Sequence, residues 1–212
     1  MTKGLTLGSL PVLAMAFALC GYAILAICKV QESSTLLSQT SSLASPSGGG
    51  AMGDLLDVAI ETADGSHTSF AATPGAVRIA TMLYAHCPGV CPATIEVLRG
   101  IERQLTAQER DRLGLVLLSL DPARDSPEAL KSLARERGIT SSRWLLGRTS
   151  EPDAQAFAMA AGIRFRPLSD GSIDHSISFV LVDPRGRLLA RTSNTGDTTE
   201  FVAAVRRALT KQ

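Results

Sequence analysis

The chain has 212 residues, of which 45% are hydrophobic and only 4% aromatic, and its 21 basic and 20 acidic side chains leave a formal net charge of +1. This length suits one ordinary domain with an additional segment, and the core of that domain must be mostly aliphatic. The balanced charge offers no basic surplus for a nucleic-acid partner and no acidic run of the kind found in disordered tails, so we expect neither.

The N-terminal segment is apolar and uncharged over 25 residues, from Gly4 to Cys28. This run exceeds the roughly 20 residues that a helix needs to cross a membrane, whereas a secretory signal peptide has a shorter apolar region. We therefore predict a single-pass membrane anchor over residues 1–30, with cleavage near "ASPSGGGA" as the alternative. Cys20 and Cys28 follow bulky residues, unlike the cysteines of lipoproteins, and are interpreted as small hydrophobic residues of the anchor.

Residues 31–53 are rich in Ser, Thr and Gly and carry one charge. Such a composition is typical of a flexible linker. The predicted organisation is therefore an anchor, a linker and one globular domain over residues 54–212.

The first half of this domain predicts a hairpin and two buried strands separated by a helix. Polar and apolar residues alternate on either side of Asp64-Gly65, as in a β-hairpin. Mostly apolar runs over residues 76–84 and 112–120 predict the buried strands. Pro92 suits the first turn of a helix, where its missing N–H costs nothing. The apolar residues that follow fall at helical spacing: Ile95, Leu98, Ile101 and Leu105.

The second half predicts three helices and another hairpin. Ser126 as N-cap, Pro127 at the first position and Gly138 as the stop delimit the first helix. The remaining elements are a helix over residues 151–162, a hairpin over 177–192 that turns at 183–186, and an amphipathic helix over 197–209. Alternating strands and helices predict an α/β domain. Their order matches a thioredoxin-like fold with an N-terminal β-hairpin extension and an extra helix-bearing segment inside.

Two cysteines, Cys87 and Cys91, lie between the end of a buried strand and the start of a helix. The partial positive charge and unpaired N–H groups of a helix N-terminus favour thiolates. A helical turn would let both sulfurs point to one place. A disulfide alone is one interpretation. A structural zinc site is less suitable, because it needs four Cys or His ligands. Copper(I), which accepts thiolates and low coordination numbers, suits the pair best.

A third ligand would have to be a histidine, and the domain offers His67, His86 and His175. His67 follows the first hairpin turn and is predicted to lie on the surface. His86 faces away from Cys87 if strand alternation continues, so a supporting or packing role is favoured over ligation. His175 alone would be taken for a surface residue. In a thioredoxin-like fold, however, the segment before its strand packs against the N-terminus of the first helix, which would bring His175 beside the cysteines.

Three segments together resemble the Sco/SenC family of membrane-anchored, copper-binding proteins with a thioredoxin fold. They are the Cys-x-x-x-Cys-Pro motif that ends at Pro92, the "LDPARDSP" segment over residues 120–127, and the "DHS" motif over residues 174–176. The resemblance covers residues 54–208. It implies a copper ion held by Cys87, Cys91 and His175, and a role in assembling the copper centres of cytochrome c oxidase. The "LDPARDSP" segment also has a structural explanation as a strand end and a helix cap, so neither Asp121 nor Asp125 is assigned to the metal.

Three functions compete for this chain. The first is a copper chaperone that delivers copper to cytochrome c oxidase or reduces its receiving cysteines. The second is a thiol–disulfide oxidoreductase that uses Cys87 and Cys91 without an obligatory copper role. The third is a peroxidase, but no residue stands out to activate a peroxide. The three-residue spacing of the cysteines and the matched His175 favour the first. We therefore expect a metallochaperone rather than a dedicated enzyme.

Partners and location follow from this hypothesis. The expected partners are the copper-site subunit of cytochrome c oxidase, other copper chaperones or thiol reductants, and the membrane. A cysteine pair that cycles between dithiol and disulfide belongs in an oxidising compartment. The N-terminal segment does not have the Arg-rich, amphipathic character of a mitochondrial transit peptide, because it contains no Arg before Arg78. The predicted location is the bacterial inner membrane, with the domain facing the periplasm.

Overall fold

The structure is a computed structural model that describes residues 50–87 and 90–211, and for Gly50, Ala51, Val90 and Cys91 it describes the backbone alone. The anchor predicted over residues 1–30 lies outside the described residues, as does the linker up to residue 49. In the part of the chain that the structure describes, no helix is long and apolar enough to cross a membrane.

The described chain forms short strands and helices in alternation. The strands are β1 (Ala59–Thr62), β2 (His67–Ser69), β3 (Val77–Leu83), β4 (Leu113–Ser119), β5 (Trp144–Arg148), β6 (Phe165–Pro167), β7 (Ile173–His175), β8 (Phe179–Val182) and β9 (Leu188–Thr192). The helices are α1 (Gly50–Gly53), α2 (Val90–Arg103), α3 (Ala107–Asp111), α4 (Pro127–Glu136), α5 (Glu151–Ala161) and α6 (Thr199–Thr210).

Among the described residues, seven strands form one sheet in the order β2-β1-β5-β4-β3-β8-β9, and β6 and β7 form a separate pair. Strands β3, β4 and β5 run parallel to one another, and Val77 of β3 lies opposite Leu113 of β4. Each parallel connection passes through at least one helix, as parallel pairing requires. The remaining neighbours are antiparallel. Strands β4, β3, β8 and β9, with α2 after β3 and α6 after β9, form the thioredoxin-like core.

The core lies around β3 and β4, in which every residue is buried. Helix α2 buries one apolar face against it through Ile95, Leu98 and Ile101, each at most 1% exposed. Burial of this face from water stabilises both the helix and the sheet. The core also includes Met52 of α1, which is 3% exposed, although sequence composition placed this residue in the linker.

The elements predicted within residues 54–212 are confirmed, including the first hairpin, both buried strands, the capped helix and the final helix. Ser126 accepts the backbone N–H of Ala129 as the predicted N-cap. Strand β5 was not predicted, and neither were α3 or the β6–β7 pair. Strand β5 holds its place by pairing with β4 on one side and β1 on the other, which are tertiary contacts with no local periodic signal.

Candidate metal centre

The segment that carries Cys87 begins where β3 ends. After Leu83 the chain turns, and the backbone N–H of Cys87 donates to the carbonyl of Tyr84 at 3.3 Å. The Cys87 side chain is half-buried and packs against the core. Cys91 lies in the first turn of α2, but its side chain is outside the described residues. The predicted location of the cysteines, between a buried strand and a helix N-terminus, is confirmed for the backbone.

A buried carboxylate, Asp125, holds the turn that leads into Cys87. Both of its oxygens accept the backbone N–H of Ala85, each at 3.1 Å. The Ser119 hydroxyl donates to Oδ2 at 2.6 Å. Asp125 is 0% exposed, and this burial raises its pKa, while the hydrogen bonds from Ser119 and Ala85 oppose that rise. The carboxylate therefore joins the end of β4 to the cysteine segment.

The candidate histidine lies at the end of β7, where His175 pairs with Phe165 of β6. We predicted His175 at the entry to a strand after a loop, whereas it ends a short separate strand, β7, that is held by its own antiparallel partner. The Tyr84 hydroxyl connects this strand to the cysteine segment. It accepts the N–H of Ile173 at 3.2 Å and lies 3.4 Å from the Ile173 carbonyl, to which it donates. The rings of Tyr84 and His175 meet edge-on, with centroids 5.9 Å apart.

The two ring nitrogens of His175 have different surroundings. Nδ1 lies 3.2 Å from the Ser176 carbonyl oxygen, which can only accept, so the proton is assigned to Nδ1. Nε2 then carries a lone pair. This atom is buried and has no hydrogen-bond partner among the described residues. A buried polar atom without a partner costs about 1–3 kcal/mol, so Nε2 is suited to bind a ligand that accepts its lone pair.

The other two histidines are exposed. His67 is exposed in β2, as predicted. His86 is 69% exposed, and its Nδ1 lies 3.9 Å from Oδ1 of Asp125. Of the two roles predicted for His86, packing is contradicted by this exposure, whereas a supporting role agrees with its approach to Asp125, which holds the cysteine segment.

The "LDPARDSP" segment connects both parts of the site. Arg124 donates to Oδ2 of Asp121 at 2.5 Å and to the carbonyl of Gly171 at 2.7 Å. Gly171 lies in the turn between β6 and β7, so Arg124 joins the end of β4 to the hairpin that carries His175. The structural role assigned to this segment from sequence is confirmed, with Ser126 as the cap.

His175 opens onto a shallow depression with charged walls. Its other lining residues are Arg164, Phe165, Arg166, Asp174 and Ser176. Arg166 and Asp174 form an exposed ion pair at 3.1 Å. The approach to the histidine is therefore open and lined by charged side chains.

The donor set predicted from sequence is brought together only in part. Tyr84 ties the strand of His175 to the segment of Cys87, whereas the third predicted ligand, Cys91, has no described side chain. Within residues 50–87 and 90–211 no three His, Cys, Asp or Glu side chains cluster closely enough to hold a metal ion. The donors present nevertheless fit copper, because Nε2 of His175 is buried and available and a thiol is a soft ligand.

Sequence reasoning missed two residues that organise this site, Tyr84 and Asp125. Tyr84 follows a buried strand, so the sequence alone suggests one more core residue, although a buried tyrosine hydroxyl usually needs a partner. Asp125 precedes a Ser-Pro helix start, so the sequence alone suggests a capping residue. Only the partners of these groups, which lie far away in the chain, reveal what they do.

The fold and the site define a class: a thioredoxin-like domain whose cysteine segment is hydrogen-bonded to a histidine-bearing hairpin. The chain belongs to the SCO1/SenC family, because a model of that family matches residues 59–210. A protein of Stutzerimonas stutzeri, provisionally described as copper-binding, is 37% identical over 114 residues, which cover 50% of this chain and 52% of that protein. The chain thus spans about half the length of this curated relative.

Solved structures of similar proteins confirm the fold. The structure of Arabidopsis thaliana ScoI with copper bound has a TM-score of 0.62 at 18% identity. That match covers 73% of this chain and 97% of the ScoI chain. The structure of BsSco, a member of the Sco family of cytochrome c oxidase assembly proteins, has a TM-score of 0.63 at 21% identity. That match covers 74% of this chain and 94% of BsSco. At these identities the similarity shows a shared thioredoxin-like fold.

Proposed function

We propose that this protein binds copper through Cys87, Cys91 and His175 and assists the assembly of the copper centres of cytochrome c oxidase. The observation that carries the proposal is the buried Nε2 of His175, which has no hydrogen-bond partner among the described residues. The Ser176 carbonyl at 3.2 Å fixes the tautomer that leaves this lone pair available. Two thiolates and one imidazole form a donor set that suits copper.

The residues around the donors have separate tasks. The N-terminus of α2 favours the thiolate forms of the cysteines that flank its start. Ser176 orients the ring of His175, and Tyr84 holds the strand on which this ring is carried. Copper is the cargo, and the open, charged depression beside His175 gives a partner protein access to it.

The names of relatives support this role. Arabidopsis thaliana ScoI has been solved with copper bound, and BsSco belongs to a family of cytochrome c oxidase assembly proteins. For this chain we infer the same partner, the copper-site subunit of cytochrome c oxidase, which would receive copper or have its cysteines reduced. Other copper chaperones or thiol reductants would supply the copper or the electrons.

A second candidate function is thiol–disulfide exchange by Cys87 and Cys91 without an obligatory copper role. The position of the two cysteines at the start of α2 supports it, because a helix N-terminus activates thiols. A disulfide switch has been identified in BsSco. The same two sulfurs could serve both functions, so an experiment must separate the imidazole from the thiols.

We also propose that the domain is anchored in the bacterial inner membrane and faces the periplasm. The uncharged run from Gly4 to Cys28 supports the anchor, and the cysteine pair supports an oxidising compartment. Protease treatment of spheroplasts checks this location. Digestion of the domain in intact spheroplasts is expected, and protection until lysis would contradict it.

His175→Ala separates the two functions. The experiment uses the full chain with Cys20→Ser and Cys28→Ser, so that Cys87 and Cys91 are the only cysteines left among the four. Copper(II) prefers nitrogen and oxygen donors, so loss of the imidazole should lower its affinity by at least about tenfold. The reduction potential of the cysteine pair should stay unchanged.

The matched control is His67→Ala, which removes an exposed imidazole from β2. It should change neither copper(II) affinity nor the reduction potential. If His175→Ala behaves like this control, and cells that carry it keep full cytochrome c oxidase activity, the copper proposal is wrong and thiol exchange becomes the better explanation.

A further inference from the structure

The Asp125 carboxylate is fully buried and sits at the centre of the hydrogen bonds behind the cysteine segment. It is 0% exposed, and it accepts from Ala85 N at two oxygens and from the Ser119 hydroxyl. Ala85 lies two residues before Cys87. Burial of a carboxylate is costly unless its oxygens are hydrogen-bonded, so a residue of this kind needs a reason beyond packing.

Helix capping does not supply that reason. Ser126, the next residue, caps α4 by accepting the N–H of Ala129 at 3.2 Å. The oxygens of Asp125 instead accept from groups at the ends of the two strands, Ala85 N just after β3 and the Ser119 hydroxyl at the end of β4. Since β3 and β4 are parallel, the segments that follow them leave the same edge of the sheet, and Asp125 joins these two segments.

The turn that contains Asp125 also reaches the hairpin of His175. The backbone N–H of Asp125 donates to the Asp121 carbonyl at 2.9 Å, and Asp121 in turn pairs with Arg124. Arg124 donates to the Gly171 carbonyl in the β6–β7 turn. One hydrogen-bonded turn therefore contacts both segments that carry proposed ligands, through Asp125 on one side and Arg124 on the other.

We propose that Asp125 is a positioning residue that fixes the backbone of the Ala85–Cys87 turn relative to the hairpin that carries His175, and thereby sets the geometry of the copper site. The inference rests on the proposed copper function. It assigns to Asp125 an effect on the metal that acts through Ala85 and requires no contact between the carboxylate and copper.

The test compares Asp125→Asn and Asp125→Ala with the parent, in the full chain that carries Cys20→Ser and Cys28→Ser. Asparagine keeps the side-chain volume and one acceptor for Ala85 N but replaces the second acceptor with a donor, whereas alanine removes both. Three quantities are measured: the thiolate-to-copper(II) charge-transfer band, the copper(II) affinity, and hydrogen exchange of the Ala85 amide in the copper-free protein.

We expect a shifted charge-transfer band and about a tenfold loss of copper(II) affinity in Asp125→Asn, with a larger loss in Asp125→Ala. The Ala85 amide should exchange faster in both variants. If Asp125→Ala does not fold, Asp125→Asn alone decides. A band and an affinity equal to those of the parent in a folded variant would overturn the proposal.

The matched control is Ser126→Ala, which removes a cap from the adjacent residue and lowers thermal stability without touching Ala85. It should leave the charge-transfer band and the Ala85 exchange unchanged, and an equal shift in this control would mean that destabilisation alone explains the effect. If the parent binds no copper, the proposed function fails. In that case the Ala85 exchange rate and the reduction potential of the cysteine pair decide the inference. If both equal the parent's values in a folded variant, the inference is overturned.

Discussion

Tyr84 is a single residue whose hydroxyl joins two segments that lie 89 positions apart. Its ring is 2% exposed and belongs to the core, while its hydroxyl both accepts from and donates to the backbone of Ile173. Two residues beyond Ile173 the chain reaches His175. The tyrosine thus uses its apolar body for packing and its polar tip for positioning.

Tyr84→Phe should lower the free energy of unfolding by about 1–2 kcal/mol, because the buried N–H of Ile173 loses its acceptor. Urea denaturation measures this loss. Hydrogen exchange at Ile173 should become faster, since the strand of His175 is less firmly held.

Thr81→Val is the matched control for this substitution. It removes another buried hydroxyl, which donates to the Ser178 carbonyl at 2.8 Å and does not touch β7. This variant should lose similar stability while exchange at Ile173 stays as in the parent. Equal exchange at Ile173 in both variants would argue against the positioning role of Tyr84.

At the scale of single elements, the β8–β9 hairpin depends on a buried carboxylate in its turn. Asp183 is 1% exposed and accepts from the backbone N–H groups of Arg185 at 2.9 Å and Arg187 at 2.8 Å. The Arg187 guanidinium donates to it at 2.6 Å. Burial alone would raise the pKa of Asp183, but these hydrogen bonds and the charge of Arg187 outweigh burial and lower it.

Asp183→Asn should therefore destabilise the protein by about 2 kcal/mol at pH 7, as expected for hydrogen bonds to a charged group. Because the pKa in the folded state is below that in the unfolded state, this stabilisation is present above about pH 4 and is lost as the pH falls through the folded pKa. In thermal melts, the melting temperatures of the parent and Asp183→Asn should converge as the pH falls through the folded pKa of Asp183.

The control for the pH series is Asp57→Asn, which neutralises an exposed carboxylate. It should melt close to the parent at every pH. A gap between the parent and Asp183→Asn that stays constant down to pH 2 would contradict the proposed contribution of the ionised carboxylate.

Strand β5 requires a glycine where it meets the N-terminal hairpin. A Cβ atom at Gly147 would lie 2.6 Å from Cγ2 of Ile60 and 2.8 Å from the Glu61 carbonyl oxygen, and the latter is backbone that cannot move without disturbing β1. Gly147→Ala should therefore cost about 1–3 kcal/mol of stability through overpacking. Urea denaturation provides the measurement.

Gly100→Ala is the opposite case and serves as the control. Gly100 lies within α2, and the nearest atom to an added Cβ is the flexible Arg103 side chain at 3.7 Å. Alanine should stabilise the helix by about 0.5–1 kcal/mol, because glycine loses more conformational freedom on folding. If both alanine variants shift stability in the same direction, the steric explanation for Gly147 is wrong.

At the scale of the whole molecule, the site lies where the parallel strands end. The carboxyl ends of β3 and β4 meet at one edge of the sheet, and the cysteine segment and the Asp125 turn leave from there. Ligand sites of open α/β sheets are commonly found at this edge. The β6–β7 pair lies outside the main sheet, and the contacts of Tyr84 with Ile173 and His175 join it to the segment that follows β3.

This arrangement predicts one copper ion per chain. Beyond Cys87, Cys91 and His175, the described residues offer no cluster of three metal-ligating side chains. Titration of the reduced chain with copper(I), with Cys20→Ser and Cys28→Ser in place, should end near one equivalent. Cys87→Ser should abolish tight binding, and a second tight equivalent in the parent would show that another site exists.

Sequence patterns predicted most of the fold, because the main elements carry strong local signals. The apolar spacing of Ile95, Leu98 and Ile101 specifies one face of α2, and the Ser126-Pro127 start specifies α4. Strand β5 could not be predicted in the same way, since "WLLGR" is short and becomes a strand through its pairing with β4 and β1. Arg78 lies in a strand of mostly apolar residues, and its burial is explained by tertiary contacts, because its guanidinium donates to the carbonyls of Ala71 and Thr73.

The sequence by itself determined which candidate groups this protein offers: two thiols near a helix start and a distant imidazole, whose types and spacing predict soft-metal or thiol chemistry. Tertiary structure decided how these groups are held. The bonds from Tyr84 to Ile173, from Asp125 to Ala85 and from Arg124 to Gly171 join residues at least 40 positions apart. Such bonds form only after the strands have packed, because directional hydrogen bonds need donors and acceptors already brought within about 3 Å.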